Sequence, residues 1–135
     1  MYSNILVPTD LSGEQNVARA YEVARQLLSD GGKITALNVI EPLPGYIATE
    51  LPPELATMSP QKRLEDLKAE LGGATDITPA VVIGHAGRSI VDQAEEDGCD
   101  LIVIASHRPG FADIFLGSTA AWVVRHAKCS VHVVR

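Results

Sequence analysis

The sequence predicts an α/β fold, a single doubly wound domain built on an open parallel sheet with helices on both faces. Three observations carry the prediction. Five short apolar runs, at residues 4–8, 34–40, 79–84, 101–105 and 131–134, are rich in Val, Ile and Leu, several almost without interruption. Strands covered on both faces read this way, and such strands belong to parallel sheets. Helical patterns lie between the runs. The two alternate as β-α-β-α-β-α-β-α-β, and parallel neighbours joined by helices cross over in a right-handed sense.

Each element has its own signal. The first strand runs into Val7-Pro8-Thr9-Asp10. Ser12 with Gln15 resembles a capping box. Val17, Ala20, Tyr21, Ala24, Leu27 and Leu28 then follow at helical spacing, and Gly31-Gly32 is read as the stop. After the second strand, residues 41–58 hold Pro42, Pro44, Gly45, Pro52 and Pro53. That stretch reads as a surface loop near the second strand's carboxyl end, either a lid or a plain connection, the latter being the simpler. Ser59-Pro60 supplies a cap and a proline at the first helical position. Its helix runs through Leu64, Leu67 and Leu71 to Gly72-Gly73. A third helix spans about 87–97, with Ile90, Val91 and Ala94 inward and Gly98 as its stop. The last opens at Gly117-Ser118, with Ala120, Ala121, Val123, Val124 and Ala127 as its apolar stripe.

Composition narrows the function. A chain of 135 residues, 46% of them hydrophobic, suits one domain over 1–135 with a real core. A formal net charge of −6 argues against general nucleic-acid binding, which needs a basic face. It leaves room for a small anion, because backbone amides carry no formal charge. Cys99 and Cys129 form no C-x-x-C pair and read as small apolar residues in a reducing compartment. No secretory signal pattern precedes the first strand, and no apolar run nears the ~18 residues of a membrane span. A soluble, cytoplasmic protein is expected, with no membrane or nucleic-acid partner.

The last third carries the most chemistry. The strand 101–105 leads into a loop with Ser106, His107, Arg108 and Gly110, which returns to Gly117-Ser118 at a helix start. Strand, polar loop and helix N-terminus together make an anion site. Arg108 suits phosphate through its planar fork, or is a solvated loop arginine. His107 donates to phosphate or stacks on a base, or is simply exposed. In a parallel sheet Asp10 faces the same crevice. There it accepts from ribose hydroxyls or holds magnesium through water, or else it caps the following turn. A nucleotide is thus the leading ligand. The four histidines lack zinc spacing, although His85, after a strand, sits near the crevice. No G-x-S-x-G and no G-x-x-x-x-G-K-[ST] occurs, which weighs against fast phosphoryl transfer.

At these residues the chain resembles the universal stress protein family, of the UspA type. NILVPTD, ITALNVIEP, GHAGRSIVDQAEEDGCDLIVIASH and LGSTAAWVVRHAKCSVHVVR carry the likeness, which spans essentially the whole chain. The resemblance implies a five-stranded parallel sheet in the order 3-2-1-4-5. It implies that Pro8, Thr9 and Asp10 contact the nucleoside and that Val39 lies against adenine. Around the phosphates it implies Ala105, Ser106, His107, Arg108, Gly110, Gly117, Ser118 and Thr119. ATP-binding members carry G-x-x-G-x9-G-[S/T]. Here Ala105 and Arg108 stand at the first two glycine positions, and the interval to Gly117 is one residue shorter. Some relatives with a similar S-H-R-P-G loop and L-G-S are nonetheless held to bind ATP.

The implied function is a stress-response or signalling module that binds ATP or another adenine nucleotide with Mg2+. The alternative is a nucleotide-independent interaction module with an unidentified protein partner. A slow ATPase or self-phosphorylating protein ranks last, and no catalytic residue is assigned. The implied strand order puts residues 131–134 at a sheet edge without proline or lysine. The family pairs its last strands antiparallel, so a homodimer through that edge is expected.

Overall fold

The computed structural model describes residues 1–13, 15–42, 59–106 and 116–135. Five parallel strands form one sheet in the order β3-β2-β1-β4-β5, as expected. The strands are β1 (Tyr2–Pro8), β2 (Leu28–Ile40), β3 (Ile77–Ile83), β4 (Leu101–Ala105) and β5 (Ser130–Val134). The helices are α1 (Gln15–Leu27), α2 (Pro60–Glu70), α3 (Ala86–Glu96) and α4 (Ser118–His126).

Period-two alternation in β1 and β4 sorts the core into two layers. Ile5, Val7, Leu101 and Val103 pack with Val17, Ala20, Tyr21 and Ala24 of α1 and Leu67 of α2. Leu6, Ile102 and Ile104 pack on the other face with Ile90, Val91 and Ala94 of α3 and Ala120 and Val123 of α4. Both faces are therefore covered, which is why the strands read as continuous apolar runs. Helices α3 and α4 meet closely at Gly87. A Cβ there would sit 2.5 Å from Cδ1 of Trp122, so α3 and α4 pack backbone to indole.

Several boundaries differ from the sequence reading. Helix α1 ends at Leu27, not at Gly31-Gly32, and β2 begins at once with Leu28. The glycine pair instead serves a β1–β2 irregularity, where pairing shifts from Tyr2 opposite Leu28 to Asn4 opposite Lys33. Gly31 adopts φ +78°, and a Cβ on Gly32 would come within 2.8 Å of the Ser3 carbonyl oxygen. The pair thus permits close backbone approach rather than halting a helix. The helix begins at Gln15, three residues past Ser12, and Gly13 between them takes φ +74°. Val124 is 46% exposed, outside the stripe of α4. Ser59 does cap α2, accepting from the N–H groups of Gln61 and Lys62, with Pro60 opening the helix. The proline-rich stretch falls mostly at 43–58, outside the described residues.

At the amino edge of the sheet, Asp100 accepts from the N–H groups of Ser3 and Asn4 at 2.9 and 3.0 Å and fastens β1 to the start of β4. Cys99 and Cys129 lie nearby, half-buried, along a small cleft of about 210 Å³. Burial pushes both thiols up, Cys99 to about 11, so both are protonated at neutral pH. Among the described residues no helix is long and apolar enough to cross a membrane.

Candidate functional site

The chain winds outward from β1 to β2 and β3, then returns to the other side of β1 with β4. Ligands of open α/β sheets bind beyond the carboxyl ends at such a reversal. Strands β1 and β4 pair only at Ile5 with Leu101 and Leu6 with Ile102. Past that short ladder their carboxyl ends border a cleft of about 380 Å³. That volume lies toward the lower end of small-molecule sites.

Of the candidate residues, Pro8, Thr9 and Asp10 reach the cleft from β1, and Val39 from β2. Ala105 and Ser106 reach it from β4, and Gly117, Ser118 and Thr119 from the start of α4. His107, Arg108 and Gly110 lie outside the described residues. The sequence reading missed Ser12, Val17, Leu37, Ala86, Ile90, Ile104 and Ala120, which also line the cleft. Two of them had a usable signal. Leu37 shares a strand face with Val39, and Ile104 directly precedes Ala105 on a strand already aimed at the site. The cleft thus has an apolar floor, with Val17, Leu37, Val39, Ile90 and Ile104, and a polar rim of hydroxyls and one carboxylate.

The helix N-termini of α3 and α4 at the cleft differ electrostatically. At α3 the Ala86 N–H donates to a Glu41 carboxylate oxygen at 2.9 Å, and the Arg88 N–H to His85 Nδ1 at 3.3 Å. His85 is therefore the N-cap of α3, and its ring meets Trp122 edge-on at 5.5 Å. At α4 the N-cap is Gly117, which has no side chain to offer. The Gly117 N–H donates to Ser106 Oγ at 2.9 Å, and the helical ladder resumes with Ala121 donating to the Gly117 carbonyl. Among the described residues, no side chain caps the N–H groups of Ser118, Thr119 and Ala120, all beside the cleft. One helix end holds a carboxylate, and among the described residues the other holds none.

The Asp10 turn is tightly built. Asp10 Oδ1 accepts from the Ser12 N–H at 2.9 Å, so the turn-capping role is real and occupies one of the two carboxylate oxygens. Leu11 takes φ +62°, the one positive-φ non-glycine among the described residues. A left-handed non-glycine residue costs about 1–2 kcal/mol, so local bonds must hold it. The Leu11 N–H donates to Thr9 Oγ1 at 3.1 Å. Thr9 itself is buried, and its hydroxyl donates inward to Glu70 at 3.0 Å, not into the cleft. The Tyr21 hydroxyl donates to the same carboxylate at 2.8 Å. Burial first, then the Glu70 hydrogen bond and charge, push the Tyr21 phenol far up, so it remains a donor. Buried Asn38 donates from Nδ2 to the Thr9 carbonyl at 2.9 Å.

Fold and cleft together define a class: a parallel α/β domain with a cleft at its topological switch point. The universal stress protein family model matches residues 1–135, and the chain belongs to that family. It is 30% identical over 145 aligned positions to universal stress protein G of Escherichia coli O157:H7, with both chains fully covered. Among solved structures, universal stress protein UspA from Lactobacillus plantarum matches with a TM-score of 0.71 at 26% identity, over 99% of this chain and 98% of that one. A universal stress protein solved in complex with cAMP matches with a TM-score of 0.68 at 28% identity, over 99% and 97%.

Proposed function

We propose that this universal stress protein is an adenine-nucleotide-binding module acting in stress response or signalling. The observation that carries the reading is the uncapped amino end of α4, set in the same cleft as Asp10 above an apolar floor. The base rests on the floor near Val39, the ribose lies near Asp10, and the phosphates, with Mg2+, take the start of α4. Helix-end attraction is worth only about 0.3–2 kcal/mol against the roughly 8 kcal/mol of micromolar binding. Several donors must therefore converge. Ser118 and Thr119 offer hydroxyls and backbone N–H groups, Ser106 retains its hydroxyl proton, and Arg108 is assigned by sequence to the same phosphates. The relative solved with cAMP supports an adenine nucleotide as the ligand class. The reading includes a homodimer through residues 131–134.

The test is direct. Protein purified without added nucleotide is denatured, and the released small molecules are identified by mass spectrometry. The native protein is then titrated calorimetrically with ATP, with and without Mg2+, and with AMP and cAMP. Released adenine nucleotide, or micromolar binding, supports the module. An empty protein that stays silent into the millimolar range overturns it in favour of nucleotide-independent protein interaction.

A further inference from the structure

We infer that Glu70 is a positioning residue for the Asp10 turn, acting through Thr9, and so sets how strongly the cleft prefers a nucleoside polyphosphate to a bare polyphosphate. The inference rests on the nucleotide reading above and deepens it.

Glu70 lies at the end of α2, 61 residues from Thr9 in sequence, and does not line the cleft. Its carboxylate accepts two hydroxyl protons, from Thr9 at 3.0–3.1 Å and from Tyr21 at 2.8 Å. With its proton fixed on Glu70, Thr9 Oγ1 turns a lone pair to the Leu11 N–H. The donors therefore run in one direction: Leu11 N–H to Thr9, Thr9 O–H to Glu70, Tyr21 O–H to Glu70. Leu11 is the residue held at φ +62°, directly after Asp10. Thr9 is fixed again through its backbone, its N–H on the Leu37 carbonyl and its own carbonyl on Asn38. The hydroxyl is thus the part of Thr9 that only α1 and α2 control.

Removing the Glu70 charge weakens the acceptor, lets the Thr9 hydroxyl rotate and deprives Leu11 of its partner. Asp10 then loses its fixed direction toward the ribose. The phosphates, held at α4 on the other side of the cleft, are not part of this chain of bonds. An effect on ribose recognition alone therefore separates positioning from general loosening.

The experiment compares wild type with Glu70→Gln, and with Tyr21→Phe, which keeps the ring and removes one donor. Mg-ATP and Mg-tripolyphosphate are the calorimetric probes, and amide exchange at Leu11 and Ser12 is followed without ligand. Glu70→Gln is expected to weaken ATP binding about tenfold and tripolyphosphate less than twofold, with faster exchange at Leu11. Tyr21→Phe moves the same quantities in the same direction by a smaller factor, and it carries the test should Glu70→Gln fail to fold. Equal losses for both probes, or unchanged ATP binding, overturn the inference. Should wild type bind neither probe, the nucleotide reading fails, and unchanged Leu11 exchange in the variants would separately overturn the positioning role.

Discussion

Gly117 is a position where a ligand effect can be parted from a fold effect. Its φ of −62° is ordinary for any residue, and among the described residues a Cβ built on it meets Ser106 Oγ alone, at 3.8 Å. Gly117→Val is therefore expected to fold, with its melting temperature within the about 4 °C that 1 kcal/mol represents. Its side chain would stand where a phosphate approaches the start of α4, so ATP affinity should fall at least tenfold in calorimetry. Equal affinity would remove the phosphate site from α4. Asp10→Asn makes the complementary cut. The amide oxygen can still accept from the Ser12 N–H, so the turn survives, while the charge proposed to face the ribose is gone. A hydrogen bond to a charged group is worth about 1.5–3 kcal/mol, which predicts a tenfold or larger loss of Mg-ATP binding at unchanged melting temperature. Most of these residues were legible because strand ends and helix starts announce themselves locally. Thr9 lines the cleft, where the resemblance puts it, but its hydroxyl turns to Glu70, and one sequence does not reveal a partner 61 residues away.

Between elements, the Asp100 carboxylate helps to fasten β1 to the start of β4. Asp100 is pushed up by burial, but the N–H groups of Ser3 and Asn4 and the Ser3 hydroxyl outweigh that and hold it below the usual carboxylate range. Asp76 is likewise held low by its hydrogen bond with Arg25, which ties the end of α1 to the chain entering β3. A carboxylate depressed on folding stabilises the native state above its unfolded pKa, near 4. That contribution disappears as pH falls through the lower native value. Urea unfolding from pH 7 to pH 2.5 should therefore show stability falling below about pH 4. Asp100→Asn should be less stable at pH 7 and lose less on acidification. A variant with the same acid limb as wild type would show that Asp100 does not fasten this edge. The order of elements could be read from apolar runs alone, since burial on both faces writes itself into composition. The α1–β2 junction could not. Gly31-Gly32 is the usual sign of a helix stop, yet Gly32 lies against the Ser3 carbonyl of the neighbouring strand and Gly31 takes φ +78°. Residues 28–33 carry too little apolar pattern to declare a strand.

For the whole molecule, the sheet has two edges, and they are not equivalent. On β3, Pro79 sits opposite Ala36, a proline of the kind that discourages further pairing. On β5, Ser130–Val134, there is no proline and no lysine, and no described strand covers its outer side. The Val134 carbonyl accepts from the Ser106 N–H at 2.8 Å, so Val134 directs its backbone toward β4. Backbone direction alternates along a strand, which turns the N–H and C=O groups of Val131 and Val133 to the open edge. Two copies of β5 placed antiparallel would satisfy these groups mutually, the isologous arrangement that a two-fold axis requires. Val133→Pro removes one outward donor without touching the ladder to β4, and proline is tolerated where its missing N–H would face away from the sheet. Wild type is therefore expected to sediment as a dimer at micromolar concentration, and Val133→Pro as a folded monomer with the same far-ultraviolet circular dichroism. A monomeric wild type would refute pairing of any kind. A dimer indifferent to Val133→Pro would place the contact elsewhere than the β5 edge.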